Sequence, residues 1–256
     1  MAALAGKVAL VTGAGRGYGR AIAERLARDG AVVAVHHAVN EDTANAAVAS
    51  IERSGGRAFT VTAPLDGSPA SVDALFARLL GCLAARGLPS TIDILVNNAA
   101  ISPRGTIEDT SEATYDEVFA LNAKAPFFII QRVLPHMPDG GRIINISSQT
   151  SLIPFPGVAA YSMAKGALDL LTFVAAKHLA PRNITVNAVL PGIADTDMNA
   201  TWLRGNAEAI ASASQFSAFK RIADVTDIAD IVAFLASNDA RWMTGQLIDG
   251  GGGSGL

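Results

Sequence analysis

The stretch Val8-Ala-Leu-Val11-Thr12-Gly13-Ala14-Gly15-Arg16-Gly17-Tyr18-Gly19 decides how the rest of the chain is read. Four apolar residues run without a break into a glycine cluster, and a helix-patterned segment begins near Arg20. Such a junction can hold phosphate. Glycine permits positive φ and close backbone approach, while free N–H groups at a helix start attract an anion. The common G-x-G-x-x-G spacing, counted from Gly13 and Gly15, would need glycine at Tyr18; the pattern present is Thr-Gly-x-x-x-Gly-x-Gly. Gly13, Gly15, Arg16, Gly17, Tyr18 and Gly19 are the expected pyrophosphate residues, against the plainer alternative of a tight turn with no ligand.

Working outward, short apolar runs recur at 31–35, 59–62, 92–96, 142–146, 185–190 and 246–248, and read with 8–11 as strands. Helical patterning predicts helices over 18–29, 41–54, 70–86, 111–137, 158–180 and 225–236. Strands this apolar suit a parallel sheet covered on both sides. The expected fold is α/β, a single Rossmann-type doubly wound domain over 1–256 with helices on both faces. No repeat or linker interrupts it before the tail Gly250-Gly-Gly-Gly-Ser-Gly255. The irregular stretch 195–221, with Trp202, Phe216 and Phe219, follows a strand end and is expected to cover the substrate.

Composition narrows the function. The 256 residues are 50% hydrophobic, enough for a sizeable core, and the net charge is −3 with no basic run for nucleic acid or an anionic membrane. A lone Cys82 and four histidines, two of them adjacent, give neither a disulfide framework nor zinc-site spacing. No apolar stretch approaches the roughly 18 residues of a membrane span, and the N-terminus lacks a leader pattern. A cytoplasmic location is expected, without metal, membrane or nucleic-acid partner.

The end of the second strand selects the cofactor. An NAD site places Asp or Glu there, about twenty residues beyond the glycine turn, to grip the adenosine ribose. His36 stands in that place, so nothing repels a 2′-phosphate, and Arg16 could pair with it. NADP(H) is favoured; NAD(H) stays open because Glu41 and Asp42 lie just downstream. As plain structure, His36 and His37 would be a solvated strand end.

Tyr161 and Lys165, in Val158-Ala-Ala-Tyr-Ser-Met-Ala-Lys165, share one helix face at a spacing of four. A cation beside a phenol favours phenolate, which is expected to lower the Tyr161 pKa and make it a usable acid.

Several further motifs stand in an order that resembles the short-chain dehydrogenase/reductase family, from Thr12 to about Gln246: Asn97-Asn98-Ala99-Ala100, Asn122, Ser148 thirteen residues before Tyr161, Lys165, and Pro191-Gly192-x-x-x-Thr196. The segments 227–238 and 244–246 are similar to the family's last helix and strand. The resemblance implies that Tyr161 transfers the proton, Lys165 lowers its pKa and holds the nicotinamide ribose, Ser148 orients the carbonyl oxygen, and Asn122 supports a water relay. It implies adenine contact by Asp66, contacts of Asn98, Ala194 and Thr196 with ribose or carboxamide, and a homo-oligomer, dimer or tetramer, built on the helices near 111–137 and 158–180. Each residue has a plainer reading: Ser148 and Thr196 as caps, Asn122 as a kink residue, Asn97 and Asn98 as strand-end ties, Pro191 and Gly192 as strand breakers.

The chain departs from the family at Tyr18, where Ile or Leu is usual; at Ala100, where glycine is usual and positive φ would be strained; at Gly67, where an apolar residue is usual; and at Asp249, two places early. The expected activity is an NADP(H)-dependent carbonyl reductase on an apolar or aromatic substrate, with Leu152, Ile153, Phe155, Met198 and Trp202 lining the pocket. The alternatives are an NAD-dependent polyol, sugar or steroid dehydrogenase, a 3-oxoacyl carrier-protein reductase using Arg104, Arg132 and Arg204 as a docking patch, and a dinucleotide-binding regulator without turnover.

Overall fold

Strand β1 (Val8–Val11) is buried along its whole length, and its residues alternate between two cores: Val8 and Leu10 enter one, Ala9 and Val11 the other. A strand buried on both faces has no polar side to show, hence the continuous apolar run. A computed structural model of the chain describes residues 2–254 and 256; Met1 of the expected domain and Gly255 of the expected tail lie outside the described residues. The further strands are β2 (Val32–His37), β3 (Arg57–Thr62), β4 (Ile94–Asn97), β5 (Arg142–Ile146), β6 (Thr185–Pro191) and β7 (Leu247–Gly250). They form one parallel sheet in the order β3-β2-β1-β4-β5-β6-β7.

The helices are α1 (Gly17–Arg28), α2 (Glu41–Arg53), α3 (Pro69–Ala85), α4 (Glu112–Phe119), α5 (Ala125–Val133), α6 (Ala159–Leu179), α7 (Ala200–Leu203), α8 (Ala207–Gln215) and α9 (Val225–Ala236). Ile22 and Leu26 of α1, Ile51 of α2 and Val232 of α9 pack on one sheet face; Leu75 and Leu79 of α3, Ile129 of α5 and Leu179 of α6 pack on the other. The doubly wound fold is as expected. Strand order reverses between β1 and β4, and there the carboxyl ends of the strands open a crevice.

Two expectations are corrected. The helix expected over 111–137 is α4 and α5 joined by a wide π turn, Ala120–Lys124, in which the Ala125 N–H reaches back five residues to the Ala120 carbonyl. Pro126 has no N–H to offer the Asn122 carbonyl four residues earlier, so regular α-helix cannot pass through this point. The second correction concerns β2, which runs on through His36 and His37, in register with Val61 and Thr62 of β3. Both imidazoles are buried, at 1% and 4% exposure, and do not form a solvated strand end.

Candidate active site

Three side chains fix the glycine turn. The Gly13 N–H donates to His36 Nδ1 at 3.1 Å. Asn98 Nδ2 donates to the Thr12 and Gly13 carbonyls at 2.8 and 3.1 Å. Thr12 Oγ1 accepts from the N–H groups of Asn98 and Ala99 at 2.9 and 3.0 Å. Gly19 is required by contact: a Cβ there would lie 2.3 Å from the Gly13 carbonyl oxygen and 2.5 Å from Asn98 Nδ2. Gly13 and Gly17 hold φ at 63° and 53°, and a Cβ at Gly15 would meet Thr43 Oγ1 at 2.8 Å.

The start of α1 has no side-chain cap and no acidic residue in its first turn, whereas Asn40, Ser68, Ser111, Asn206 and Asp224 cap α2, α3, α4, α8 and α9. Uncapped N–H groups above a turn stripped of side chains fit the pyrophosphate of a dinucleotide.

His36 does structural work. Nδ1 accepts from a backbone N–H and Nε2 contacts the Ala63 carbonyl at 2.8 Å, so the proton sits on Nε2 and both ring nitrogens are used. Burial pushes its pKa down to about 4. The imidazole therefore braces the turn from below, and among the two residues expected to distinguish the cofactors only the exposed Arg16 has a free reach. Its Nη1 stands 3.7 Å from Asp197 Oδ2.

Tyr18 and its neighbours meet the segment after β6. The Tyr18 hydroxyl donates to the Gly192 carbonyl at 3.2 Å, and a Cβ on Gly17 would lie 3.5 Å from Thr196 Cβ. Arg16, Gly17 and Tyr18 thus touch Asp197, Thr196 and Gly192 in turn. The larger side chain at Tyr18 supplies a tie between the turn and this segment. Thr196 is buried, and Ala194 pairs with Ala223 in an isolated bridge. The stretch 195–221 contains the short helices α7 and α8, and it leans on neighbouring loops through Phe155 against Phe216, ring centroids 5.6 Å apart, and Arg104 over Trp202 at 5.2 Å. Leu152 and Met198 are exposed at the same end. A cavity of about 400 Å³ opens behind this segment between Ile193, Phe216, Phe219 and Ile222; it reaches Gly192 but not Ser148, Tyr161 or Lys165.

Asp66 is exposed in the loop after β3, where its Oδ1 accepts from the Ser68 N–H at 2.8 Å. Its pKa is pulled to about 2, first by Ser68. Gly67, beside it, has φ 77°, and a Cβ there would lie 2.4 Å from the Ala120 carbonyl oxygen. That approach explains the glycine. Ala100 is not among the residues with positive φ, so replacing glycine there brings no strain.

The residues expected to do chemistry converge beyond β5. Tyr161 lies in the first turn of α6 at 8% exposure, and Lys165 one turn on at 2%. Lys165 Nζ donates to the Ile146 carbonyl at 2.7 Å and stands 5.6 Å from the Tyr161 ring centroid. The Ser148 hydroxyl acts on Tyr161 while also accepting from the Thr150 N–H at 3.2 Å, so Ser148 caps a short 3-10 turn as well. Asn122, fully buried, spends its side chain on Ile101, accepting from its N–H at 3.0 Å and donating to its carbonyl at 2.8 Å. Gly251 backs onto Gly192, where a Cβ would touch it at 3.0 Å, and Asp249 accepts from Gln149 and from the Gly251 N–H.

The expectation that Lys165 lowers the Tyr161 pKa is not met. Burial dominates and pushes the phenol up to about 12, with Ser148 pulling it back, while burial pushes the Lys165 ammonium down to about 8. Desolvation disfavours both charged forms, and at this separation the pair does not overcome it. Sequence reading also passed over Asp169, buried one turn beyond Lys165, and Thr12, the hub of the turn. The spacing that singled out Lys165 after Tyr161 applies equally to Asp169 after Lys165.

Residues 13–254 match the family described as enoyl-(acyl carrier protein) reductase. Two solved structures resemble the chain along nearly its whole length. One is LugOII, a promiscuous reductase that catalyses keto-reduction at C1 during lugdunomycin biosynthesis, 50% identical, covering 99% of this chain and 100% of that one with a TM-score of 0.93. The other is LanV, an angucycline C-6 ketoreductase with bound NADP, 49% identical, covering 98% and 96% with a TM-score of 0.93. Versicolorin reductase 1 of Aspergillus parasiticus is 36% identical over 98% of this chain and 97% of its own. The chain belongs to the short-chain dehydrogenase/reductase family.

Proposed function

We propose that the chain is an NADP(H)-dependent ketoreductase that interconverts a ketone on a flat, largely aromatic molecule with its alcohol, Tyr161 being the proton donor and acceptor. The observation that carries this reading is the shared burial of Tyr161 and Lys165, one turn apart on α6, together with buried Ser148 just beyond β5. Bound reduced nicotinamide supplies the hydride that the carbonyl carbon accepts. Ser148 donates to the carbonyl oxygen. Tyr161, kept protonated at neutral pH by its burial, gives up its proton as charge grows on that oxygen. An alkoxide is more basic than a phenolate, so the transfer runs downhill. Lys165 spends one of three donors on Ile146 and has two for the ribose and for returning a proton to Tyr161, while Asn122, its side chain spent on Ile101, lies in the π turn packed against α6.

Gly13, Gly15, Gly17 and Gly19 would cradle the pyrophosphate, Arg16 the 2′-phosphate, and Asn98, Pro191, Gly192, Ala194 and Thr196 would fix the nicotinamide half, with Asp66 toward adenine. NADP in the LanV structure supports this cofactor, and the absence of a carboxylate at His36 agrees. Phe216 and Trp202 within the segment expected to cover the substrate, with Phe155 packed on it, and the keto-reduction catalysed by LugOII and the angucycline ketoreductase LanV support the substrate class. Of the arginines named for a carrier-protein docking patch, Arg132 pairs with Asp73, Arg204 with Asp195 and Asp197, and Arg104 lies over Trp202. The proposal includes a homo-oligomer and a cytoplasmic location; among the described residues no helix is long and apolar enough to cross a membrane.

The test is a panel of polycyclic aromatic ketones followed by NADPH absorbance, with NADH in parallel. Turnover with at least a tenfold preference for NADPH, about 1.4 kcal/mol, and a loss of at least a hundredfold in kcat for Tyr161→Phe are expected. Near wild-type turnover of that variant would overturn the assignment of the acid.

A further inference from the structure

Asp169 is a buried carboxylate that the reaction as described does not use. It lies on α6 one turn past Lys165 and two past Tyr161, on the same face, at 5% exposure. Among the described residues its Oδ1 has no hydrogen-bond partner. Two hydroxyls stand close enough to serve it but are turned elsewhere: Ser147 Oγ donates to the Lys165 carbonyl at 3.4 Å and Ser151 Oγ to the Ser148 carbonyl at 2.8 Å. A carboxylate left unsatisfied inside a protein is destabilising unless a nearby positive charge compensates it. Burial pushes its pKa up, and among the described residues Lys165 is the positive charge that pulls it back.

The same relation holds in reverse. Lys165 is at 2% exposure and is held by a single neutral carbonyl, so burial alone drives it toward the uncharged amine. The elements packed against α6 carry Glu112, Tyr115, Asp116 and Glu117 on α4, Lys124 in the π turn, Arg142 on β5 and Arg182 in the turn after α6; none of them acts on Lys165 or Asp169. Among the described residues Asp169 is the charged group that opposes the loss of the ammonium charge.

We infer that Asp169 is a positioning residue whose buried carboxylate keeps Lys165 cationic through the catalytic cycle. This rests on the proposed roles of Tyr161 and Lys165. Replacing the carboxylate by a neutral group removes negative charge from beside Lys165. The ammonium then loses its proton more readily, which moves the basic limb of the pH profile downward.

The experiment is the pH dependence of kcat/KM for NADPH-driven ketone reduction by wild type, Asp169→Asn and Asp169→Glu. For Asp169→Asn the basic limb is expected to move down by about one pH unit, the scale of a charge removed at this range. Asp169→Glu, which keeps the charge, should return it toward wild type. A profile of Asp169→Asn that is lowered at every pH but keeps its limb would overturn the inference, since a purely structural role changes the height and not the midpoint. Asp169→Ser, smaller and equally neutral, gives the same reading should the asparagine variant fail to fold. Tyr161→Phe run alongside separates the two levels: if it stays active, the reading of the site fails; if it is dead while the limb of Asp169→Asn stays put, only the inference about Asp169 fails.

Discussion

His36 shows how one residue can be informative and still be misread. Its position indicates which cofactor the site lacks a carboxylate to hold, but its side chain faces inward and spends both nitrogens on the Gly13 N–H and the Ala63 carbonyl. With the folded-state pKa near 4 and the ordinary value 6.5, the neutral form is the folded form. The sign follows: the stability tied to neutral His36 is fully present above about pH 6.5 and is lost as pH falls toward 4. At the low end the loss is roughly 3 kcal/mol. The urea midpoint should drop from pH 7 to pH 4.5, and His36→Leu, though less stable at pH 7, should flatten that dependence; an equal drop in the variant would remove His36 as its cause. Tyr161 carries the complementary lesson. Its spacing to Lys165 was legible in the chain, but whether the cation or burial sets its pKa depends on how far water is excluded, and burial wins.

At the scale of elements, the crossing of the loop after β3 beneath the π turn is the least legible part of the fold. Gly67 looked like an irregular departure; it is the one residue type that fits at φ 77° with the Ala120 carbonyl against its Cα. Gly67→Ala combines left-handed strain with a backbone clash and should lower stability by about 2 kcal/mol or more, read as a fall in Tm. Because Ala120 opens the turn that carries Asn122, kcat should fall as well. A variant with unchanged Tm would show that the loop yields at no cost. The break between α4 and α5 was readable in principle, since Asn122 and Pro126 stand four apart and proline cannot supply that hydrogen bond. The apolar pattern on either side masked it, although Val118 of α4 packs against Ala160 and Ala164 of α6 while Ile129, Ile130 and Val133 of α5 pack in the core under the sheet.

At the scale of the molecule, α6 and α5 leave an apolar strip outside. Leu170, Val174 and Met163 of α6 are 62%, 60% and 56% exposed, and Phe173 of α6 and Phe127 of α5 are exposed as well. A surface of this kind signals a partner surface, and it falls on the helices expected to join subunits. Leu170→Glu should shift the sedimentation coefficient toward a smaller species while the isolated chain keeps its helical circular dichroism; unchanged sedimentation would place the contact elsewhere. Strand and helix order, the glycine turn and the Tyr161–Lys165 pair were legible along the chain, because they depend on local periodicity, glycine chemistry and spacing on one helix, and Ser148 was legible through the family resemblance. It took the packed fold to show that His36 points inward, that Gly67 lies under Ala120, that Tyr18 ties the turn to Gly192, and that Asp169 is buried one turn beyond Lys165 with an unpartnered oxygen among the described residues. Those facts depend on which distant segments exclude water from one another, and burial of that kind is a property of the packed chain.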